Sequence, residues 1–377
     1  MKTRAAVLFS QPGKWEIAEL ELDDPKEHEV LVKIHAAGIC HTDDHMRTGD
    51  LPAAHLPLCG GHEGAGVVEK VGSAVQSVVP GDRVVLSFIP GCGRCRWCAS
   101  GKQNLCDNGA KLMLGSQLDG TFRMHAGDSD VGQMCLVSTF SEYTVVNEDS
   151  CVKLDDEIPF DEAALLGCGV PTGWGSAVVA AEVEPGDVVI VMGVGGIGHN
   201  AVQGAAHAGA AAIIAVDPVE FKRQSALTMG ATHACATIAE AKEIAGPLTN
   251  GQGADSAIVA IGVVQSEHLG EAFSAISKGG TLVVTGVGRY DAMGIPVSIM
   301  ELAMFEKRIQ GVCYGSLSAS KDVPRLLAMR RAGRLKIKEL ITRRYTLDEV
   351  NQAFDDMHAG VNVRGVIVMD AAGGSSR

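Results

Sequence analysis

The sequence predicts an α/β protein in which a β-rich domain is interrupted by a doubly wound parallel sheet, and three observations predict it. Short strands separated by turn residues fill about the first 150 residues. From Pro171 onward, apolar strands alternate with Ala-rich helical stretches, the rhythm of a parallel sheet with crossovers. A glycine cluster, Gly193-Val194-Gly195-Gly196-Ile197-Gly198, falls where the first of those strands should hand over to a helix. The 377 residues also exceed what one core ordinarily supports.

In order along the chain, the first strands are Ala5–Phe9, Val30–Ile34, Gly66–Val71 and, after the turn Pro80-Gly81-Asp82, Arg83–Leu86. Turn chemistry between such runs indicates a mostly antiparallel domain. The parallel set is Val188–Val191, Ile213–Val216, Ser256–Ala260 and Thr281–Thr285. After Cys313 one charged helix, Val323–Ala332, and a terminal strand, Val363–Val368, have no core of their own and should rejoin the first domain. The predicted division is residues 1–169 with 313–377, and an inserted 170–312, with a cleft between the lobes.

A formal net charge of −13 and a pI near 5.4 argue against nucleic acid and anionic membrane as partners and leave small molecules. The best apolar run, Val188 to Gly198, is short and broken by four glycines, so no membrane span is expected. The start Met1-Lys2-Thr3-Arg4 is no secretory signal, which points to the cytoplasm. The tail Gly373 to Arg377 should be frayed.

Cys92, Cys95 and Cys98, closed by Cys106, are dense enough to enclose one tetrahedral zinc with no open position. A pair of disulfides is the alternative. An odd total of eleven cysteines and no export address favour metal. Such a closed site holds structure.

The glycines at 193, 195, 196 and 198 permit a tight turn and close approach of a pyrophosphate to a helix N-terminus, and Asp217, ending the next strand, can bind ribose hydroxyls. The alternative is glycines that serve helix–sheet packing only. Asp217 would repel a 2′-phosphate, so NAD is preferred over NADP, with Lys222 and Arg223 close by in sequence. Lys222 is equally readable as a ribose contact or a solvated helix charge.

Cys40, His62 and Cys168 show little one by one: a single Cys is usually a small buried hydrophobe and a His-Glu pair is usually surface. Taken in order, Cys40 followed by Thr42, Asp43 and His45, the glycine-flanked His62-Glu63, the four-cysteine lobe, Gly167-Cys168-Gly169 and the glycine fingerprint resemble the zinc-dependent medium-chain alcohol dehydrogenases over nearly the whole chain. Phe88-Ile89-Pro90, Gln103 to Asp107 and residues 168–175 look like the nicotinoprotein group, which is mycofactocin-associated and NDMA-dependent.

The resemblance implies a GroES-like catalytic domain and a Rossmann domain, two zinc ions per chain, and Cys40, His62 and Cys168 as catalytic-zinc ligands with water or alcohol in the fourth place. It assigns proton removal to Thr42, the nicotinamide ribose and His45, the last releasing to solvent; an ordinary surface histidine is the alternative for His45. Asp43 should fix His62 through its second ring nitrogen. Glu63 should sit behind the zinc and pair with Arg364, either tuning it or as a plain ion pair. Thr172 would touch the nicotinamide, and Ile197, Arg364 and His41 join the cofactor-binding residues.

His41 is a departure, because many relatives carry Arg there to grip the pyrophosphate; a His is charged only part of the time. Weaker or pH-dependent pyrophosphate binding should follow. The implied reaction is reversible oxidation of a primary alcohol, aliphatic or benzylic, to the aldehyde, with NAD tightly held and recycled by an external redox acceptor of the mycofactocin type. The alternatives are a conventional NAD-exchanging alcohol or formaldehyde dehydrogenase and a non-catalytic nucleotide-binding protein. The long segment Lys111 to Thr139 resembles the longer loop of dimeric relatives, and that resemblance implies a homodimer rather than a tetramer, paired near an exposed strand at Ile295 to Met300.

Overall fold

The computed structural model describes residues 1–154 and 157–369; the Gly373 to Arg377 tail lies outside them. Two compact units are present: Met1–Cys168 with Ser318–Ala328 and Ile337–Arg377, and Gly169–Leu317 with Met329–Lys336.

In the first unit, strands Lys2–Leu8, Glu16–Leu22, Met124–Ala126, Ser129–Gln133 and Leu58–Cys59 close a small barrel. Beside it, among the described residues, lies a seven-stranded sheet centred on Glu29–Gly38, which pairs antiparallel with Gly64–Val71, Tyr143–Asn147 and Arg364–Val368. The central strand is buried on both faces. Val30, Val32 and Ile34 pack with Val68, Val84 and Leu86, while Leu31 packs with Ala5, Val7 and Leu20 of the barrel and with Val145 of the neighbouring strand. That explains its unbroken apolar reading, since each fully buried aliphatic side chain contributes about 1.5–3 kcal/mol.

The segment Lys111 to Thr139 is not a plain loop. It carries the Met124–Ala126 and Ser129–Gln133 hairpin, and it is tied down by Arg123, 1% exposed, which donates to both Glu29 carboxylate oxygens at 2.7 Å and to Asp119 at 2.9 Å.

The second unit is a six-stranded parallel sheet, among the described residues, in the spatial order His233–Cys235, Ala212–Val216, Val188–Met192, Ala254–Val259, Ile276–Val284, Arg308–Gly311. In chain order that is 3-2-1-4-5-6. The chain reverses direction of winding between Val188–Met192 and Ala254–Val259, the switch point at which such sheets bind nucleotides. All five residues of Val188–Met192 are buried.

One expectation fails here. Residues 295–300 form no strand: Gly294 has φ +88°, Pro296 has no N–H to give a ladder, and the Ser298 hydroxyl accepts from the Glu301 N–H at 3.2 Å to start the short helix Ile299–Met304. The sheet edge is Arg308–Gly311 instead. No single helix among the described residues is long and apolar enough to cross a membrane.

Candidate metal centres and dinucleotide site

Helix His41–Thr48 follows the central strand directly, and Cys40 caps it in an extended conformation. The cap is fixed by Asp43, whose Oδ2 accepts from the Cys40 N–H at 3.3 Å. Its other oxygen, Oδ1, accepts from His62 Nδ1 at 3.0 Å and from the Gly61 N–H at 3.1 Å. One buried carboxylate therefore locks two chain segments together. The Phe88 ring meets the imidazole edge-on, with centroids 5.7 Å apart.

His62 lies on a stretch braced from behind by residues 138–140. Ser138 Oγ donates to the Cys59 carbonyl at 2.7 Å, the Thr139 N–H to the Gly61 carbonyl at 3.0 Å, and Thr139 Oγ1 to the Glu63 carbonyl at 3.0 Å. The brace is strained: Cys135, Leu136 and Ser138 sit at φ +52°, +65° and +43°, conformations that cost of order 1–3 kcal/mol each. Gly61, at φ +88°, leaves no room for a Cβ beside the Phe140 backbone.

These contacts bring Cys40, His62, Glu63 and Cys168 together, one donor atom from each lying within 4.8 Å of the others, all buried. His62 Nε2 is buried without a hydrogen-bond partner. An orphaned imidazole nitrogen facing two thiols is costly unless a cation takes its lone pair, so the donor set fits zinc. Cys40 is held well below the usual thiol range by the Cys168 thiol donating to it, against burial, and Cys168 is correspondingly raised.

Glu63 pairs with Arg364. Burial pushes its carboxyl up to about 7 although Arg364 pulls the other way. A Cβ on Gly38 would collide with both side chains, so the strand end must be glycine for the pair to form.

The four lobe cysteines form a second cluster. The sulfurs of Cys92 and Cys98 are 4.0 Å apart and those of Cys95 and Cys106 3.9 Å. A disulfide needs about 2.05 Å, whereas zinc–sulfur bonds of about 2.3 Å give tetrahedral edges of about 3.8 Å. No disulfide joins any of the cysteines among the described residues. Backbone N–H groups of Cys92, Cys95 and Cys98 point at the sulfurs of Cys106, Cys92 and Cys95 at 3.4 to 3.5 Å. N–H bonds from Cys98 and Asp107 pull Cys95 down to about 6, while burial pushes Cys98 up to about 12.

His45 is 1% exposed, so it is neither a surface histidine nor a direct exit to solvent. Its Nδ1 meets Asp50 Oδ2 at 3.1 Å. Asp50 was not among the sequence candidates; its only signal is a position just past the Gly49 cap of the helix that carries His45. Thr42 Oγ1 lies 3.8 Å from the Cys40 sulfur. His41 is half-buried.

In the second unit, Gly195 caps helix Gly196–Ala208 right after strand Val188–Met192, and a Cβ at Gly198 would strike the Gly193 carbonyl. Asp217 accepts the Val194 N–H at 3.0 Å and the Val219 N–H at 2.9 Å, so it stands at the glycine turn. Thr172 and Ile197 lie on two helices of this unit that pack together, Gly169–Gly175 and Gly196–Ala208. Lys222 is half-buried, and Arg223 is turned to the Asp217 and Pro218 carbonyls and to Glu220.

A thiol-rich buried centre in the first unit and a parallel sheet with a glycine turn in the second define a zinc-type dehydrogenase. Residues 26–156 match the alcohol dehydrogenase GroES-like domain and residues 196–331 the zinc-binding dehydrogenase family. The chain is 51% identical over 371 residues to the NDMA-dependent alcohol dehydrogenase of Amycolatopsis methanolica, covering 98% of this chain and 100% of that one. It is 39% identical over 378 residues to the S-(hydroxymethyl)glutathione dehydrogenase of Komagataella pastoris, covering 98% of both. Benzyl alcohol dehydrogenase from Acinetobacter calcoaceticus superposes with a TM-score of 0.90 at 30% identity, covering 98% of this chain and 99% of that one. The protein belongs to the zinc-binding alcohol dehydrogenases of the medium-chain family, and it is an enzyme.

Proposed function

We propose that the protein oxidises a primary alcohol, aliphatic or benzylic, to its aldehyde, and runs the reverse reaction, with one zinc held by Cys40, His62 and Cys168, a second in the lobe, and a tightly held NAD. The observation that carries this reading is His62 Nε2, buried and unpartnered against two thiols. When bound, zinc supplies Lewis-acid polarisation of the alcohol oxygen and NAD accepts the hydride.

The chain's own residues do the rest. Asp43 holds the Nδ1 proton of His62 so that Nε2 keeps its lone pair for the metal. Thr42, beside the Cys40 sulfur, accepts the hydroxyl proton while giving up its own, and His45 takes up the proton so released, further from the metal. Gly193, Gly195, Gly196 and Gly198 with Asp217 hold the dinucleotide. Engagement of Arg223 by two carbonyls and Glu220 supports NAD over NADP, because that guanidinium is committed away from a 2′-phosphate.

The 51% identity to an NDMA-dependent relative supports a cofactor that stays bound and is reoxidised in place by an external acceptor. His41, where many relatives carry Arg, favours a second reading in which NAD exchanges at each turnover. Purified protein separates the two. Nicotinamide absorbance that survives gel filtration, with turnover of benzyl alcohol only when an artificial acceptor is added, supports the first; rapid accumulation of free NADH supports the second. Metal analysis giving two zincs per chain tests both centres at once.

A cytoplasmic homodimer, in preference to a tetramer, is the proposed assembly. Met293, Ile299 and Met304, 87%, 82% and 74% exposed, are apolar side chains that a second copy would cover. Light scattering tests it.

A further inference from the structure

We propose that Asp50 is a positioning residue for His45, forming with it a carboxylate–imidazole dyad that sets the tautomer of His45 and carries the proton on toward solvent; this rests on the reading of His45 as a proton acceptor.

The geometry begins in the backbone. Gly49 ends helix His41–Thr48 in the left-handed conformation, φ +88°, and the N–H groups of Gly49 and Leu51 both donate to the His45 carbonyl at 3.1 Å. This turn folds Asp50 back over the last turn of the helix. Its Oδ2 accepts from Thr48 Oγ1 at 3.1 Å and lies 3.1 Å from His45 Nδ1. Gln11 pins the same turn from outside, donating to the Leu51 carbonyl at 2.8 Å and accepting from the Ala53 N–H at 2.8 Å. A carboxylate tied down at that distance is part of the turn's construction rather than a side chain in passing contact.

Two consequences follow for His45. Which nitrogen of an imidazole carries the proton is set by the bond the other makes; with Nδ1–H held by Asp50, the lone pair that receives a proton is on Nε2. The same bond fixes the plane of the ring, so Nε2 keeps one orientation. The helix's other carboxylates are committed to other partners, Asp43 to His62 and Gly61, and Asp44 to Arg47 and His358. Exposure supplies the exit: the His45 side chain is 2% exposed and that of Asp50 19%, so Asp50 meets the water that His45 does not.

The test uses zinc- and NAD-loaded protein with benzyl alcohol as the probe, and ¹⁵N-histidine spectra in mildly alkaline buffer with the His45 signal assigned by its loss in His45→Gln. The wild type should show His45 as the Nδ1–H tautomer, and Asp50→Asn should turn it to the ordinary Nε2–H form. Asp50→Asn should also slow single-turnover nicotinamide reduction by about 10-fold, part of the 10²–10⁴ that acid–base groups supply, with KM unchanged. In the His45→Gln background the same substitution should cost nothing further. A wild-type Nε2–H tautomer, or an equal loss in both backgrounds, overturns the dyad. Undiminished turnover in His45→Gln overturns the proton-acceptor reading itself, and the tautomer then still reports whether Asp50 holds the ring. Should Asp50→Asn lose its zinc on purification, Asp50→Ser serves the same comparison.

Discussion

The two thiol centres of the first unit are built in opposite ways. The lobe takes all four donors from one short stretch, Cys92 to Cys106, and orients its sulfurs with N–H groups of the same stretch. The other centre draws Cys40 from a helix cap, His62 from a braced turn and Cys168 from the end of a helical segment, and it is buried throughout. A closed site can be local because it only has to hold itself together. The buried centre, for which we propose a coordination position open to substrate, has to be held by the fold, through Asp43, Thr139 and the strained brace.

The comparison can be broken most sharply at Cys40. Cys40→Ser should lower alcohol oxidation by more than about 10³-fold while metal analysis still finds the lobe zinc and the melting transition stays cooperative. Loss of both metals together would show that the two centres are not independent. Cys95→Ser should do the reverse, dropping the lobe metal and making the 92–106 stretch sensitive to limited proteolysis while the His62 centre keeps its zinc.

Smaller changes probe how each centre is oriented. Asp43→Asn should cost about 10–100-fold in metal affinity at the buried centre, read by competition with a chelator, because His62 loses the group that fixes its tautomer. The lobe answers to pH instead. Burial raises the thiols of Cys98 and Cys106 while backbone N–H bonds lower Cys95, so the metal-free lobe holds protons on its raised thiols at neutral pH. Zinc uptake must expel those protons, so affinity should rise with pH, and calorimetry in buffers of different ionisation enthalpy should register proton release. Gly38→Ala should give the mildest effect, about 1–3 kcal/mol of stability by thermal denaturation, as the new methyl displaces the Glu63–Arg364 pair.

The same contrast decides what could be read from the sequence. The lobe was legible because its ligands are neighbours, and the glycine turn with Asp217 because strand, turn and helix follow one another. Cys40, His62 and Cys168 were legible only through resemblance, since nothing in their separate surroundings says that a barrel rim and a sheet will bring them together. Asp50 was not legible at all: its role depends on the left-handed cap at Gly49, and an Asp after a helix ordinarily reads as surface. The strand expected at 295–300 came from the resemblance alone and fails in this chain, where Pro296 has no N–H for a ladder and Ser298 starts a helix.

The brace at 135–138 has a consequence for the life of the enzyme. Backbone held at unfavourable angles acts like a compressed spring behind the His62 turn, kept shut where the Ser138 hydroxyl bonds to the Cys59 carbonyl of the barrel. Anything that loosens the barrel rim lets that spring relax, and the imidazole withdraws with it. If the His62 centre holds metal as proposed, warming should release it before the fold is lost, while the lobe cluster keeps its own.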